Sequence, residues 1–157
     1  MKVTTKTAII YVNILLIFSC LIMASCTNNT AYHHYIPIKT ELWCKTDTLY
    51  FTLPDSMPSG YYNSRIGIRH TVDYPYRDLW LSVHFPGNEK ADTVHLYLVN
   101  ERGNWNSNGT ASGYYQYETD CKNFHYEHSA DSVIKVSHIM EDFYLKAITD
   151  VGIKITE

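Results

Sequence analysis

Cys26 carries the clearest sign of chemistry in this chain, because the residues around it match a site of thiol acylation. Residues 23–26 read Met-Ala-Ser-Cys, so small side chains stand immediately before the cysteine. Lys2 and Lys6 precede an apolar stretch over residues 8–24, which is the layout of a secretory signal peptide. The arrangement resembles a bacterial lipobox. We therefore predict a signal peptide over residues 1–25 and attachment of a fatty acid such as palmitate at Cys26.

Two alternatives to this interpretation follow from the same residues. Cys20 is a second candidate for acylation, but the bulky Phe18 two positions before it disfavours cleavage there. The apolar stretch is also close to the roughly 20 residues that a spanning helix needs, so an uncleaved signal anchor is the structural alternative.

The residues after Cys26 predict where an anchored protein would reside. Thr27 follows the cysteine where an aspartate would favour retention in the inner membrane, and residues 27–31 contain no acidic cluster. In a bacterium with two membranes, this pattern predicts an outer-membrane lipoprotein that faces the periplasm. Several acyl chains would hold it there firmly, since each buried CH₂ adds about 0.8 kcal/mol of membrane affinity.

Cys44 and Cys121 are the cysteines that remain outside the predicted signal peptide and lipobox. In an oxidising periplasm they could form a disulfide that closes a long loop. Two separately buried thiols are the alternative, because the sequence does not fix the distance between them.

The histidines and serines do not form a recognisable catalytic or metal-binding motif. His125 and His128 lie on either side of Tyr126 and Glu127, but on a strand they would point to opposite faces, and His33-His34 lies in the predicted tether. His70, His84 and His95 could approach one another across a sheet only if the strand registers allow it, so polar residues on a solvated sheet face are the favoured interpretation. The sequence also contains no GxSxG, SxxK or glycine-rich phosphate loop. We therefore expect no enzyme activity, no cofactor and no bound metal, with a metal-dependent hydrolase as a remote alternative.

Composition narrows the class of protein further. The 157 residues carry 13 basic and 16 acidic side chains, a nearly neutral balance that argues against a nucleic-acid-binding surface. Aromatic residues make up 14% of the chain and charged residues 18%, which is typical of a folded domain rather than of a disordered one.

Alternation of apolar and polar residues predicts that this folded domain is all-β. Residues 79–85, for example, place Leu79, Leu81 and Val83 on one face and Trp80 on the other. Similar segments cover residues 48–53, 64–72, 93–99, 113–118, 133–140 and 151–155. Seven or eight short strands separated by turns indicate a β-sandwich of the jelly-roll or Greek-key kind. We predict a lipidated tether over residues 26–40 and one sandwich domain over residues 41–157.

Several aromatic residues form a candidate interaction surface. The string Asp73-Tyr74-Pro75-Tyr76 lies between two predicted strands, where its proline favours a turn and a cis peptide bond. We predict that Tyr74, Pro75, Tyr76, Trp80 and Trp105 contribute to a surface for protein or glycan partners. Packing across strands is the alternative role for the same side chains.

Two segments of the chain resemble the GldH gliding-motility lipoprotein family of the Bacteroidota. They are residues 69–81, Arg-His-Thr-Val-Asp-Tyr-Pro-Tyr-Arg-Asp-Leu-Trp-Leu, and residues 148–155, Ile-Thr-Asp-Val-Gly-Ile-Lys-Ile. The lipobox and the Asp-Thr-Leu-Tyr-Phe strand at residues 47–51 occur in matching places. The loop around Trp105 departs from the family pattern, which has a glycine-rich run there. The resemblance implies an accessory lipoprotein linked to gliding and to type IX secretion, whose partners are other envelope proteins. A glycan-binding sandwich lipoprotein is the alternative function.

Overall fold

The computed structural model describes residues 29–110, 113–128 and 132–157, and this part of the chain is built of β-strands. A short 3₁₀ turn at Lys39–Glu41 is the one helical element within these ranges. In chain order the strands are β1 (Thr30–Pro37), β2 (Leu42–Cys44), β3 (Leu49–Thr52), β4 (Gly60–Thr71), β5 (Asp78–His84), β6 (Asp92–Tyr97), β7 (Asn108–Gly109), β8 (Tyr114–Tyr126), β9 (Val133–His138), β10 (Tyr144–Lys146) and β11 (Ile148–Thr156).

The strands form two main sheets and a small ribbon, and every pairing is antiparallel. The first sheet has the order β1-β11-β4-β8-β7 and the second has the order β3-β9-β5-β6, while β10 and β2 form the ribbon. The prediction of an all-β sandwich is confirmed. The strands that the sequence did not predict are β1 and the short β2, β7 and β10.

The core lies between the two sheets and is filled by the apolar positions of the alternating segments. Ile66 and Ile68 of β4 are fully buried, as are Leu79 and Leu81 of β5. Burying one such side chain contributes roughly 1.5–3 kcal/mol, so these positions fix which face of each strand points inward. On one side of the sandwich the sheets are joined by an ion pair between β8 and β6, where Lys122 Nζ lies 2.7 Å from an Asp92 oxygen.

The first strand occupies residues that the sequence had suggested as tether. Thr30–Pro37 pairs with β11 over its length, so the tether predicted over residues 26–40 is wrong from Thr30 onward. The burial pattern of β1 explains the difference, because none of its side chains is fully buried. His33 and His34 are both exposed, whereas the neighbouring Tyr32 and Tyr35 are only half-buried, so the segment shows no clear alternation.

Tyr35 fastens β1 to the sheet by lying across two glycines on the neighbouring strands. Gly152 of β11 pairs with Tyr35 on one side and with Gly67 of β4 on the other. The hydroxyl of Tyr35 donates a hydrogen bond to Glu118 Oε1 at 3.0 Å, and the Arg69 guanidinium lies 4.1 Å from the ring centroid. Burial raises the pKa of Tyr35, and the bond to Glu118 adds to the rise. A side chain at either glycine would occupy the space of the ring.

Both cysteines within the described residues are free thiols. Cys44 lies on the ribbon, where its sulfur is 3.1 Å from Thr46 Oγ1. Cys121 lies at a β-bulge in β8, beside Ser64, whose hydroxyl donates to the Lys122 carbonyl at 2.6 Å and accepts from the Lys122 amide at 3.1 Å. The disulfide that the sequence left open is therefore not formed in this structure.

The strand directions define two ends of the sandwich. At the terminal end the chain enters at Asn29, and the Glu157 amide donates to the Asn29 carbonyl at 3.1 Å. At the opposite end, Pro37 pairs with Asp150 and Asp78 pairs with Tyr97. This opposite end also carries the loops over residues 72–77, 98–107 and 139–143.

Candidate functional site: an exposed aromatic ladder

The outer face of the second sheet carries three rings in contact near the opposite end, two of them stacked and the third tilted. Trp80 of β5 pairs directly with His95 of β6, and their rings are nearly parallel, 3.7 Å apart at their centroids with an interplanar angle of 12°. Tyr97, two residues further along β6, has its ring centroid 4.0 Å from that of His95. We call Trp80, His95 and Tyr97 the aromatic ladder. It forms because side chains on one face of paired strands stand next to each other.

One carboxylate holds the ladder in place. Asp78 Oδ2 accepts a hydrogen bond from Trp80 Nε1 at 3.2 Å and lies 2.7 Å from His95 Nε2. Because the carboxylate accepts, the His95 ring donates from Nε2. Asp78 itself pairs with Tyr97 across β5 and β6. The Trp80 and His95 rings are thus held in one orientation, which would reduce the entropy lost if a ligand bound to them.

A shallow cleft of about 290 Å³ adjoins the ladder. Its lining, which we call the ladder cleft, comprises Tyr76, Asp78, Trp80, Ile139, Met140, Glu141 and Asp142. The Trp80 amide donates to Met140 Sδ at 3.4 Å, and the Ile139 amide donates to the Trp80 carbonyl at 3.0 Å. The Tyr76 hydroxyl donates to Asp142, and this bond raises the pKa of Tyr76. Three carboxylates therefore line a cleft with an aromatic wall.

The structure brings together only some of the residues that the sequence assigned to an interaction surface. Tyr76 and Trp80 both line the ladder cleft, and Pro75 is exposed beside them. Tyr74 is buried instead, with its hydroxyl donating to the Asp78 carbonyl at 2.9 Å, so its assignment to the surface is wrong. The Tyr74–Pro75 peptide bond is trans, contrary to the tendency expected from sequence.

Trp105 also belongs to the packing rather than to the aromatic ladder. Its ring lies 4.5 Å from that of His70, and Tyr115 stacks on the same histidine with centroids 5.5 Å apart. His70 is fully buried, and burial lowers its pKa, an effect that a hydrogen bond to the Thr71 carbonyl partly offsets. Trp105 therefore covers a buried histidine at the edge of the core.

Sequence reasoning missed His95, Tyr97 and Asp78 as members of the surface. The signal was present, since alternation puts His95 and Tyr97 on the polar face of their strand. What the sequence does not provide is the register that sets His95 against Trp80. That pairing is a feature of the hairpin formed by β5 and β6, which the structure shows directly.

The histidines do not converge on a metal. Across residues 29–110, 113–128 and 132–157, no three His, Cys, Asp or Glu side chains are grouped so as to hold an ion. His70 lies in the first sheet, whereas His84 and His95 lie in the second. His125 Nδ1 is 3.7 Å from a Glu127 oxygen, and its ring contacts Tyr61.

A second, polar surface lies on the outer face of the first sheet. A groove of about 550 Å³ is lined by Arg65, Asn106, Gly109, Thr110, Gln116 and Glu118. Gln116 Oε1 accepts from Arg69 Nε at 3.1 Å, and Gln116 Nε2 donates to Glu118 at 3.0 Å. The groove presents amide, guanidinium and carboxylate groups held in a fixed network.

The predicted lipidation site Cys26 lies outside the described residues. Within those residues, the chain has no helix with the length and apolar character needed to cross a membrane.

Comparison with known proteins gives two matches that agree with each other. The family model described as GldH lipoprotein matches residues 30–155. The chain is also 25% identical over 151 residues to the gliding motility lipoprotein GldH of Flavobacterium johnsoniae, an alignment that covers 91% of this chain and 94% of the relative. The family match begins at the first residue of β1 and ends within β11.

Proposed function

Because the chain belongs to the GldH lipoprotein family, as its sequence motifs predicted, we propose that it is a lipid-anchored accessory protein of the gliding motility and type IX secretion apparatus. It acts by contacts with other envelope proteins rather than by catalysis. The observation that supports this role best is the aromatic ladder, because exposed tryptophan and tyrosine side chains held in a fixed orientation are typical of the residues that dominate protein interfaces.

The anchor is the fatty acid at Cys26. Residues 26–29 extend at most about 14 Å, so an acylated Cys26 keeps the terminal end of the sandwich close to the membrane. Asp78 and Tyr97 lie at the opposite end, so the ladder lies on the part of the sheet that is distant from the bilayer. We propose the periplasmic side of the outer membrane as the location, on the basis of Thr27.

Anchoring contributes to binding by raising local concentration. A protein held at the same membrane as its partner binds it almost as if the two were one molecule, so a modest interface is sufficient. A small domain that offers shallow surfaces such as this one can therefore contribute to an assembly.

Site-specific photocrosslinking in intact cells tests the interaction surface. A photoreactive amino acid is placed at Tyr97 on β6 and, as a matched control, at Tyr50 on β3. The two tyrosines are equally exposed, at 61% and 60%, and lie on opposite edges of the same sheet. We expect crosslinks to gliding or secretion components from position 97 and few from position 50. Equal or absent crosslinking at both positions would contradict the proposal.

The anchor is tested separately by labelling cells with radioactive palmitate. We expect incorporation into the wild-type protein and none into Cys26→Ala, which should leave the membrane fraction. A C26A protein that stays in the membrane fraction would show that another segment holds it.

Glycan binding is a second candidate function, favoured by the polar groove on the first sheet. A hydroxyl-rich ligand could bind to planar amide and guanidinium groups, which the groove and its neighbourhood provide from Gln116, Arg65 and Arg69. Tyr114 is exposed nearby and offers an aromatic ring. Glycan-array binding that is lost in Gln116→Ala and kept in Tyr97→Ala would support this function. Trp105→Ala is not a suitable test variant, because Trp105 packs on His70.

A further inference from the structure

The ladder cleft combines an aromatic wall with carboxylates, and we propose that it binds an arginine side chain from an extended segment of a partner protein. This inference rests on the proposed role of the aromatic ladder as a partner-binding surface and specifies the chemistry of the partner. It concerns the cleft beside Trp80 rather than the polar groove of the first sheet.

The charges of the cleft favour a cation. Asp78, Glu141 and Asp142 contribute carboxylates to the lining, and none of the other lining residues is basic. The Glu141 and Asp142 side chains are exposed, so a partner reaches them without rearrangement. A positively charged segment is therefore attracted to the cleft, while an acidic one is repelled.

The aromatic wall favours arginine over lysine. Trp80 is exposed over 38% of its surface, and Tyr76 is half-buried across the same cleft. A guanidinium group is planar, stacks on aromatic faces and donates to carboxylates from several nitrogens at once, whereas an ammonium group is a point charge. Asp142 already accepts from the Tyr76 hydroxyl, and its second carboxylate oxygen gives a further acceptor.

Met140 and Ile139 provide the remaining surface. Ile139 is exposed beside Trp80, and the Met140 sulfur is fixed by the Trp80 amide at 3.4 Å. The methylene groups of an arginine stem can cover these apolar atoms while the guanidinium group reaches the carboxylates. The cleft volume of about 290 Å³ is sufficient for a single side chain rather than for a folded element.

The test is a titration of the purified protein with the peptide acetyl-Gly-Gly-Arg-Gly-Gly-amide, followed by the NMR signals of the tryptophan indole N–H groups. Trp43 is buried and its indole donates to the Asp47 carbonyl at 3.1 Å, so its signal is an internal reference. We expect the Trp80 signal to shift and the Trp43 signal to stay in place. The same peptide with citrulline, which keeps the shape but lacks the charge, should bind at least threefold more weakly.

Two double variants test whether the carboxylates of the ladder cleft are the ones that attract the arginine peptide. Replacing both acidic side chains in E141Q/D142N should weaken arginine-peptide binding about fivefold, because exposed ion pairs of this kind each change affinity a few-fold. The matched control D120N/E127Q also removes two negative charges, from side chains that are 93% and 80% exposed elsewhere on the surface, and should leave the affinity nearly unchanged. If the double variant does not fold, as judged from the Trp43 signal, E141Q alone is used.

Three results would overturn the inference. The first is equal binding of the arginine and citrulline peptides, and the second is an equal loss of affinity in both double variants. The third is a shift of the Trp80 signal by a neutral oligosaccharide when the arginine peptide causes no shift. Crosslinks from position 97 together with an inert arginine peptide would refute only this partner chemistry. Peptide binding without any crosslink to the apparatus would refute the proposed function instead.

Discussion

The packing of Tyr35 over two glycines predicts that a single added methyl group will destabilise the protein only while Tyr35 is present. In Gly67→Ala, the new Cβ would overlap the Tyr35 hydroxyl oxygen and lie 2.8 Å from Cζ. Backbone within the strand cannot retreat, because Gly67 is hydrogen-bonded between β11 and β8. The ring of Tyr35 must therefore leave its position.

The loss of stability in Gly67→Ala follows from the contacts that the displaced Tyr35 ring no longer makes. Its hydrogen bond to Glu118, an acceptor that carries charge, contributes about 1.5–3 kcal/mol. The guanidinium of Arg69 over the ring adds about 0.5–1 kcal/mol at a partly exposed site. Replacement of a glycine by alanine recovers about 0.4–1 kcal/mol through the unfolded chain. We expect Gly67→Ala to lower the free energy of unfolding by about 1–3 kcal/mol.

The effect of Gly67→Ala on the free energy of unfolding should change sign when Tyr35 is removed. In a Tyr35→Ala background the space over Gly67 is open, so Gly67→Ala should raise the free energy of unfolding by about 0.4–1 kcal/mol. Urea unfolding of the four proteins, followed by tryptophan fluorescence, measures this double-mutant cycle. A Gly67→Ala substitution that costs the same free energy in both backgrounds would refute the reasoning, because the effect would then not pass through Tyr35.

Three further predictions concern buried polar groups. Burial lowers the pKa of His70, so the folded state resists protonation of this side chain. The free energy of unfolding should therefore fall as the pH drops below about 6.5. Urea titrations should show a weaker pH dependence of this free energy in His70→Gln than in the wild-type protein. Burial raises the pKa of Cys121 to about 11, so iodoacetamide at pH 8 should modify Cys44 first, and mass spectrometry showing equal labelling would contradict this. Ser64→Ala should cost about 1–3 kcal/mol in urea unfolding, since the Lys122 amide and carbonyl lose their partner at the bulge; an unchanged midpoint would show that water replaces it.

The strands that bury one face could be predicted from sequence because burial itself produces the alternation. In β5, fully buried Leu79, Leu81 and Val83 alternate with outward side chains, so the pattern identifies both the strand and its inner face. Strand β1 shows no such pattern, because each of its side chains is either exposed or only half-buried, so neither face of the strand is fully covered. The ribbon of β2 and β10 has three residues in each strand, which is too short for a period to be recognised.

The candidate surface was only partly predictable because exposure of an aromatic residue depends on the path of the loops. Tyr74 and Trp105 both lie in loops, and both loops turn their rings inward, toward His70. Trp80 lies on a strand whose alternate residues are buried, so its outward orientation followed from the sequence. Its stacking on His95 depends on a register between strands, which a single sequence does not encode locally.

The attachment of β1 to the sheet also has a mechanical consequence. If the proposed anchor at Cys26 and a partner at the far end pull against each other, the force enters the described part of the domain near Thr30 and runs parallel to β1. Because β1 lies alongside β11 from Thr30 to Pro37, such tension loads their hydrogen bonds together, in shear, rather than breaking them one at a time by peeling. Tyr35, near the end of β1, adds a side-chain contact across β11 and β4 to these hydrogen bonds. Under the proposed anchoring, the pairing of β1 with β11 would resist unravelling of the domain from Thr30.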